Sequence, residues 1–160
     1  MCFFLWMLFI KKRFRLMWND VIYQPGEIRV VAYNIEGQAV EENTIRTAGK
    51  AASIKLTPDR KVLKADGEDL CYINVSLTDK DGNPIPADNR LMKVKVSGEG
   101  SFKAIANGDP TCLESFQQPQ MHLFSGQLTV LVQSSSQPGE ITVEVTGKGV
   151  KKARLTIITE

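Results

Sequence analysis

The five residues Gln-Pro-Gly-Glu-Ile occur twice, at Gln24–Ile28 and at Gln137–Ile141. Internal repetition constrains a fold more than any local propensity, because it makes one region a template for the other. In both copies a Pro-Gly turn leads into a run that alternates apolar and polar residues. Ile28, Val30 and Ala32 share one parity in the first copy; Ile141, Val143 and Val145 share it in the second. Strand side chains change face at every residue, so this spacing predicts one buried and one wet face in each copy. A glycine-bearing turn follows (Asn34–Gly37; Gly147–Gly149), and then a second short strand (Thr44–Thr47; Leu155–Ile158). Each copy reads as a β-hairpin closing a domain. The second closes at Glu160, and the first runs into the small-residue stretch Thr47-Ala48-Gly49-Lys50-Ala51.

Two domains of one kind are therefore expected in tandem: a partial one over 1–47, a linker over 48–52 and a complete one over 53–160. The first segment is barely longer than the about 40 residues below which a chain rarely holds a core alone. It reads as the rear strands of a sandwich, with unpaired edges that invite self-association. In the second, strands are expected at Ser53–Thr57, continued at Val62–Ala65, then Leu70–Thr78, Leu91–Ser97, Ser101–Ala106, Gln127–Gln133 and the hairpin. Leu70–Thr78 alternates most cleanly, with Cys71, Ile73, Val75 and Leu77 facing in and Tyr72, Asn74 and Ser76 facing out. Asn107–Met121, with two prolines, reads as a long irregular loop. No run keeps apolar residues at i, i+3, i+4 and i+7, so no α-helix is expected. Short strands separated by Gly/Pro turns predict an all-β, immunoglobulin-like two-sheet sandwich.

Net charge is +2, too small and too evenly spread along the sequence for a nucleic-acid footprint. Met1–Ile10 is wholly apolar, but a membrane span needs about 20 such residues. The cations Lys11-Lys12-Arg13 follow that run rather than precede it, unlike a secretory signal. Two readings stay open: a strand of the incomplete sandwich, or non-native sequence. Cys2, Cys71 and Cys112 lack metal-ligand spacing. A Cys71–Cys112 disulfide is conceivable, and free, core-like cysteines are favoured. No cofactor or metal site is expected.

Here the chain resembles a known family. Phe14–Trp18 and Pro25–Tyr33 look like the end of an immunoglobulin-like domain of bacterial glycoside hydrolase family 2 proteins of the β-galactosidase type. Thr47–Arg60 resembles the joint to the next such domain. Ala65–Leu70, Asn107–Thr111, Phe124–Gly126 and Pro138–Val143 fit that last domain, which is also similar to invasin-type bacterial Ig-like repeats. The resemblance implies a parent glycosidase with two catalytic glutamates on a (β/α)₈ barrel upstream, in a periplasmic, cell-surface or secreted location. It transfers no catalytic residue. It implies an accessory sandwich whose partner is that barrel; the invasin-type likeness implies the alternative, a carbohydrate-binding or cell-surface adhesion module.

Candidate chemistry is sparse. Glu140 and Glu144 lie on one strand and point outward, and Glu41-Glu42 reads as surface, so neither makes the carboxylate pair that glycoside hydrolysis needs. Asp79-x-Asp81-Gly82-Asn83 has the look of a calcium loop, but Gly82 is fourth and Arg90 twelfth, where an EF-hand needs Gly sixth and Glu twelfth. A hairpin turn is preferred. His122 reads as a strand-end residue and Ser134–Ser136 as a flexible bend. The non-catalytic candidate is sugar binding by Tyr72 and Phe116, with Asn107 and Asp109 as polar partners. The alternative for Phe116, and the favoured one, is a plug in one end of the sandwich.

Overall fold

The computed structural model describes residue 17 and residues 19–160. The apolar run Met1–Ile10 lies outside them, as does all but Met17 of the segment Phe14–Trp18. Among the described residues, eleven strands form three sheets. Strands β1 (Glu27–Tyr33) and β2 (Ala39–Arg46) pair antiparallel as a separate hairpin, with Ile28 opposite Ile45 and Val30 opposite Asn43.

The remaining strands build the sandwich. One sheet runs β3 (Ser53–Pro58), β5 (Leu70–Thr78), β9 (Gln127–Ser134), β7 (Gly100–Ala106). The other runs β4 (Val62–Leu63), β11 (Ala153–Thr159), β10 (Gly139–Gly147), β6 (Leu91–Gly98), β8 (Gln120–His122). Alternation dictates the core between them. Cys71, Ile73, Val75, Leu77, Val130 and Val132 come from the first sheet, and Met92, Ile141, Val143, Val145 and Ile157 from the second; all are fully buried. The chain is an all-β, immunoglobulin-like sandwich, and no helix occurs among the described residues.

Close packing depends on one glycine in particular. A Cβ at Gly100 would stand 2.5 Å from Ile141 Cδ1, so the missing side chain makes the slot that Ile141 fills.

Three expectations need correction. Val62–Leu63 does not continue β3: the chain changes sheets after Pro58, and β4 pairs parallel with β11. The expected loop Asn107–Met121 runs into β8, whose Met121 sits opposite Met92 with both buried. Three residues are too few for alternation to register, so burial of Met121 is what defines this strand. Finally, Ile28 and Val30 are not buried: they are 53% and 42% exposed, and Ile45 is 69% exposed. The repeat is faithful in pairing but not in covering, because no second layer lies over the first hairpin among the described residues. With no layer to alternate against, β2 also starts earlier than its apolar pattern suggests, at Ala39.

Candidate functional site

Tyr72 points outward from β5, as the alternation requires, and is 47% exposed. On the outer face it lies opposite Leu131, which lies opposite Ala104; the next row is Thr57, Asn74, Thr129 and Ala106. This gives one aromatic ring on a flat face, between Leu131 on one side and the Asp59 carboxylate, which accepts the Tyr72 N–H at 2.9 Å, on the other.

Phe116 stands elsewhere. Its carbonyl accepts the Ile105 N–H at 2.9 Å beyond the β7 edge, so about three strand spacings, roughly 14 Å, separate it from β5. It is 53% exposed and does not plug the sandwich.

The two polar candidates are occupied in holding their own loop. Asn107 Nδ2 donates to the His122 carbonyl at 3.0 Å, and its Oδ1 accepts the Asp109 N–H at 3.0 Å. Asp109 Oδ1 accepts the Thr111 N–H at 2.8 Å and the Thr111 hydroxyl at 2.7 Å. These bonds, the Thr111 N–H first, hold the Asp109 carboxyl below its usual range. Sequence spacing placed Asn107, Asp109 and Phe116 in one loop. The fold separates that loop from Tyr72.

His122 ends β8 and is clamped by Glu114, which accepts its main-chain N–H at 2.8 Å and contacts Nδ1 at 2.6 Å. Accepting these donors, the main-chain one first, lowers the Glu114 pKa. Glu144 lies on the outer face between Lys95 and Arg154 and pairs with Lys152 at 3.1 Å and Arg154 at 3.3 Å. Lys152 chiefly, then Arg154, pull its pKa down, which suits a permanent anion and not a proton donor. Ser135 is tied rather than loose: its hydroxyl donates to Glu99 at 2.8 Å and its N–H to the Glu99 carbonyl at 3.0 Å.

The most densely bonded carboxylate is one that sequence reading treated as a turn former. Asp79 is buried, and each of its oxygens takes two donors. Oδ1 accepts the N–H groups of Asp81 (2.9 Å) and Asn83 (2.8 Å); Oδ2 accepts Gly49 N–H (2.9 Å) and Asn83 Nδ2 (2.9 Å). The Gly49 bond leads the causes that hold its pKa far below the carboxylate range. A cation here would have to displace all four donors. What Asp79 does is anchor the joint, since Gly49 belongs to the expected linker.

Two further bonds stitch the same stretch to the sandwich. Ala52 N–H reaches the Thr78 carbonyl at 2.9 Å, and Lys151 N–H reaches the Ala52 carbonyl at 3.2 Å. On the other side Thr47 closes the hairpin base, donating its N–H to the Gly26 carbonyl at 2.8 Å and accepting Gly26 N–H at its hydroxyl at 3.0 Å. Ala48 alone separates a residue tied to the hairpin from one tied to the sandwich. A cleft of about 620 Å³ lies at this joint, with Arg46, Lys50, Lys80 and Asp81 in its lining. No pattern in the sequence announces Asp79 as an anchor; its one signal is the Asx turn, which holds Oδ1 and leaves Oδ2 to accept from Gly49.

Cys71 and Cys112 are both free. Burial pushes the Cys71 thiol up to about 11, and its Sγ lies 3.4 Å from the Arg60 carbonyl. No group of three or more metal-ligating side chains occurs among the described residues.

A two-sheet bacterial Ig-like domain with a stitched joint to a preceding hairpin defines the class, and comparison with known proteins supplies the family. The chain matches the model for the glycoside hydrolase family 2 C-terminal domain 5 over residues 54–156 and belongs to that family. Residues 10–41 match a second family, a domain of unknown function (DUF4982). The β-galactosidase BoGH2A of Bacteroides ovatus is 38% identical over 140 residues, covering 88% of this chain and 16% of that protein. A crystallised glycosyl hydrolase family 2 member from Bacteroides cellulosilyticus superposes with a TM-score of 0.81 at 31% identity, over 88% of this chain and 18% of that one. The D00-D0 domain of intimin shares the fold alone, with a TM-score of 0.52 at 16% identity over 86% of this chain and 66% of its own. The chain thus spans about a sixth of the length of the glycosidases it matches.

Proposed function

We propose that the chain serves as an accessory β-sandwich region of a β-galactosidase-like glycoside hydrolase, supporting or spacing the catalytic barrel and carrying no hydrolytic chemistry itself. The observation that supports this reading is the joint: Ala48 alone separates Thr47, bonded to the hairpin base, from Gly49, bonded to Asp79 of the sandwich, and so short a connection favours a fixed orientation over swivel. Residues 1–47 are read as the rear of one sandwich, 48–52 as the joint and 53–160 as the intact second domain. The partner is the catalytic barrel. The carboxylates reported above support the same reading, being committed to Arg, Lys or main-chain donors that favour the ionised form. Hydrolysis of a nitrophenyl galactoside tests it: no turnover is expected, and turnover that co-purifies with the chain and disappears on its removal would overturn it.

A second reading, glycan binding, is favoured by one observation, the exposed Tyr72 ring beside a row that carries Thr57, Asn74 and Thr129. Its site would centre on Tyr72 with Asn74 and Thr129, while Phe116, Asn107 and Asp109 form a separate locus. Calorimetric titration with galactosides and polysaccharide decides it. Heat that vanishes in Tyr72→Ala supports binding on the sheet, and heat that vanishes in Phe116→Ala moves it to the loop.

A further inference from the structure

The two copies of the repeat differ in what touches their first strand. In the second copy β10 is an interior strand, paired with β11 on one side and with Met92–Gly98 of β6 on the other. In the first copy β1 has the corresponding partner β2, and its other edge is uncovered among the described residues.

Hydrogen-bond alternation shows which groups lie on that edge. Gly26 and Thr47 bond across the hairpin base, and Asn34 N–H bonds the Gln38 carbonyl near the tip. Bonded and non-bonded pairs alternate along an antiparallel ladder, so Ile28, Val30 and Ala32 direct their main-chain groups at β2. Glu27, Arg29 and Val31 direct theirs outward. The second copy agrees: the carbonyl of Glu140, the counterpart of Glu27, accepts Glu99 N–H on the β6 side.

We infer that the open edge of β1 is a strand-pairing surface whose occupant is β1 of a second copy, antiparallel across a two-fold axis. Among the described residues nothing guards this edge: β1 (EIRVVAY) contains no proline or lysine, and Arg29 is drawn away to Glu42 of β2. The β2 edge is the guarded one, since it carries Glu41 and Glu42. Self-pairing centred on Val30 is self-complementary. Ile28 then opposes the second copy's Ala32 and Arg29 opposes its Val31, so Ile28, Val30 and Ala32 of both copies share one face with Ile45, while Val31 lies on the other face with the charged pairs. The charged face keeps its Arg29–Glu42 and Arg46–Glu27 pairs, at 2.6 and 2.8 Å. The product is a four-stranded sheet β2-β1-β1-β2. This remedies the weakness of an isolated two-stranded sheet, which is marginal in water. The inference rests on the hairpin alone and stands or falls apart from the glycosidase reading.

The test is sedimentation velocity of the full chain over a concentration series, with amide exchange read residue by residue. Mass is expected to double as concentration rises. Over the same range Glu27, Arg29 and Val31 amides gain protection, while Ile28 and Val30 are protected throughout. Val31→Pro removes only an outward N–H, so it should abolish the dimer while Ile28 and Val30 stay protected. A monomer at every concentration overturns the inference. So does a dimer in which the three outward amides stay unprotected, which would assign association to the apolar face or to residues 1–16. Outward amides protected at every dilution would also overturn it, by showing that the chain covers its own edge.

Discussion

Ile28 and Ile141 occupy the same place in the same five-residue phrase, so truncating each to alanine makes one chemical change in two environments. Ile141 is fully buried and lies against the bare backbone of Gly100, with the facing sheet above it. Removing its side chain beyond Cβ leaves a void that rigid strands on both sides cannot close. Such truncations cost about 2–5 kcal/mol, and the poor prospects for collapse place this one in the upper half. For a sandwich of this size that corresponds to a Tm lower by the order of 15 °C. Ile28 is more than half exposed and opposes an exposed Ile45, so its truncation removes one cross-strand contact worth roughly 0.2–1 kcal/mol, and only within the hairpin. The sandwich transition should therefore move by less than about 2 °C. Calorimetry or circular dichroism of the two variants beside the parent chain measures both. Equal losses would refute the reasoning, since the first hairpin would then share the core of the second domain. So would a negligible loss in Ile141→Ala, which would mean that the sheets do not close on that residue.

Asp79→Ala should free the Gly49 amide and raise its hydrogen exchange while core amides of β5 and β9 keep theirs; unchanged exchange at Gly49 would show that Asp79 is not the anchor. The same joint should loosen in acid. The folded pKa of Asp79 is depressed, so its contribution is complete above the unfolded value of about 3.9 and is lost as pH falls below it towards the folded value. Gly49 exchange, corrected for intrinsic pH dependence, reads this out, and a flat profile from pH 6 to about 2 contradicts it. Gly126→Ala should cost more than about 1 kcal/mol, because the residue has φ of +74° and a Cβ there would stand 1.8 Å from the Ile85 carbonyl oxygen; a neutral urea midpoint would refute that packing. Cys112, half-buried, should react with a maleimide in the native state, whereas Cys71 should react only on unfolding; native labelling of Cys71 seen by peptide mass would deny its burial.

Alternation made the sandwich legible wherever two layers exist to enforce it. Leu70–Thr78 reveals its buried face residue by residue, because β5 is an interior strand with one face in the core. The sheet change between Pro58 and Val62 was not legible: two residues of β4 carry no period, and choice of sheet is a long-range decision made by pairing with β11. Strand β8 was hidden for the same reason. The first hairpin shows the opposite case. Its pattern is that of a covered strand, and among the described residues the cover is missing.

The site residues divide along a similar line. An outward Tyr72 follows from parity alone, but its distance from Phe116 follows from strand order, which no local pattern encodes. Asp79 looked like a turn former and is one. Its second duty arises because that turn delivers a carboxylate oxygen to Gly49, thirty residues earlier in the chain. Turn chemistry at the end of β5 therefore fastens to the sandwich a residue that lies two positions beyond the hairpin base. The residues to vary first are accordingly those at the joint and along the β1 edge, ahead of any exposed carboxylate.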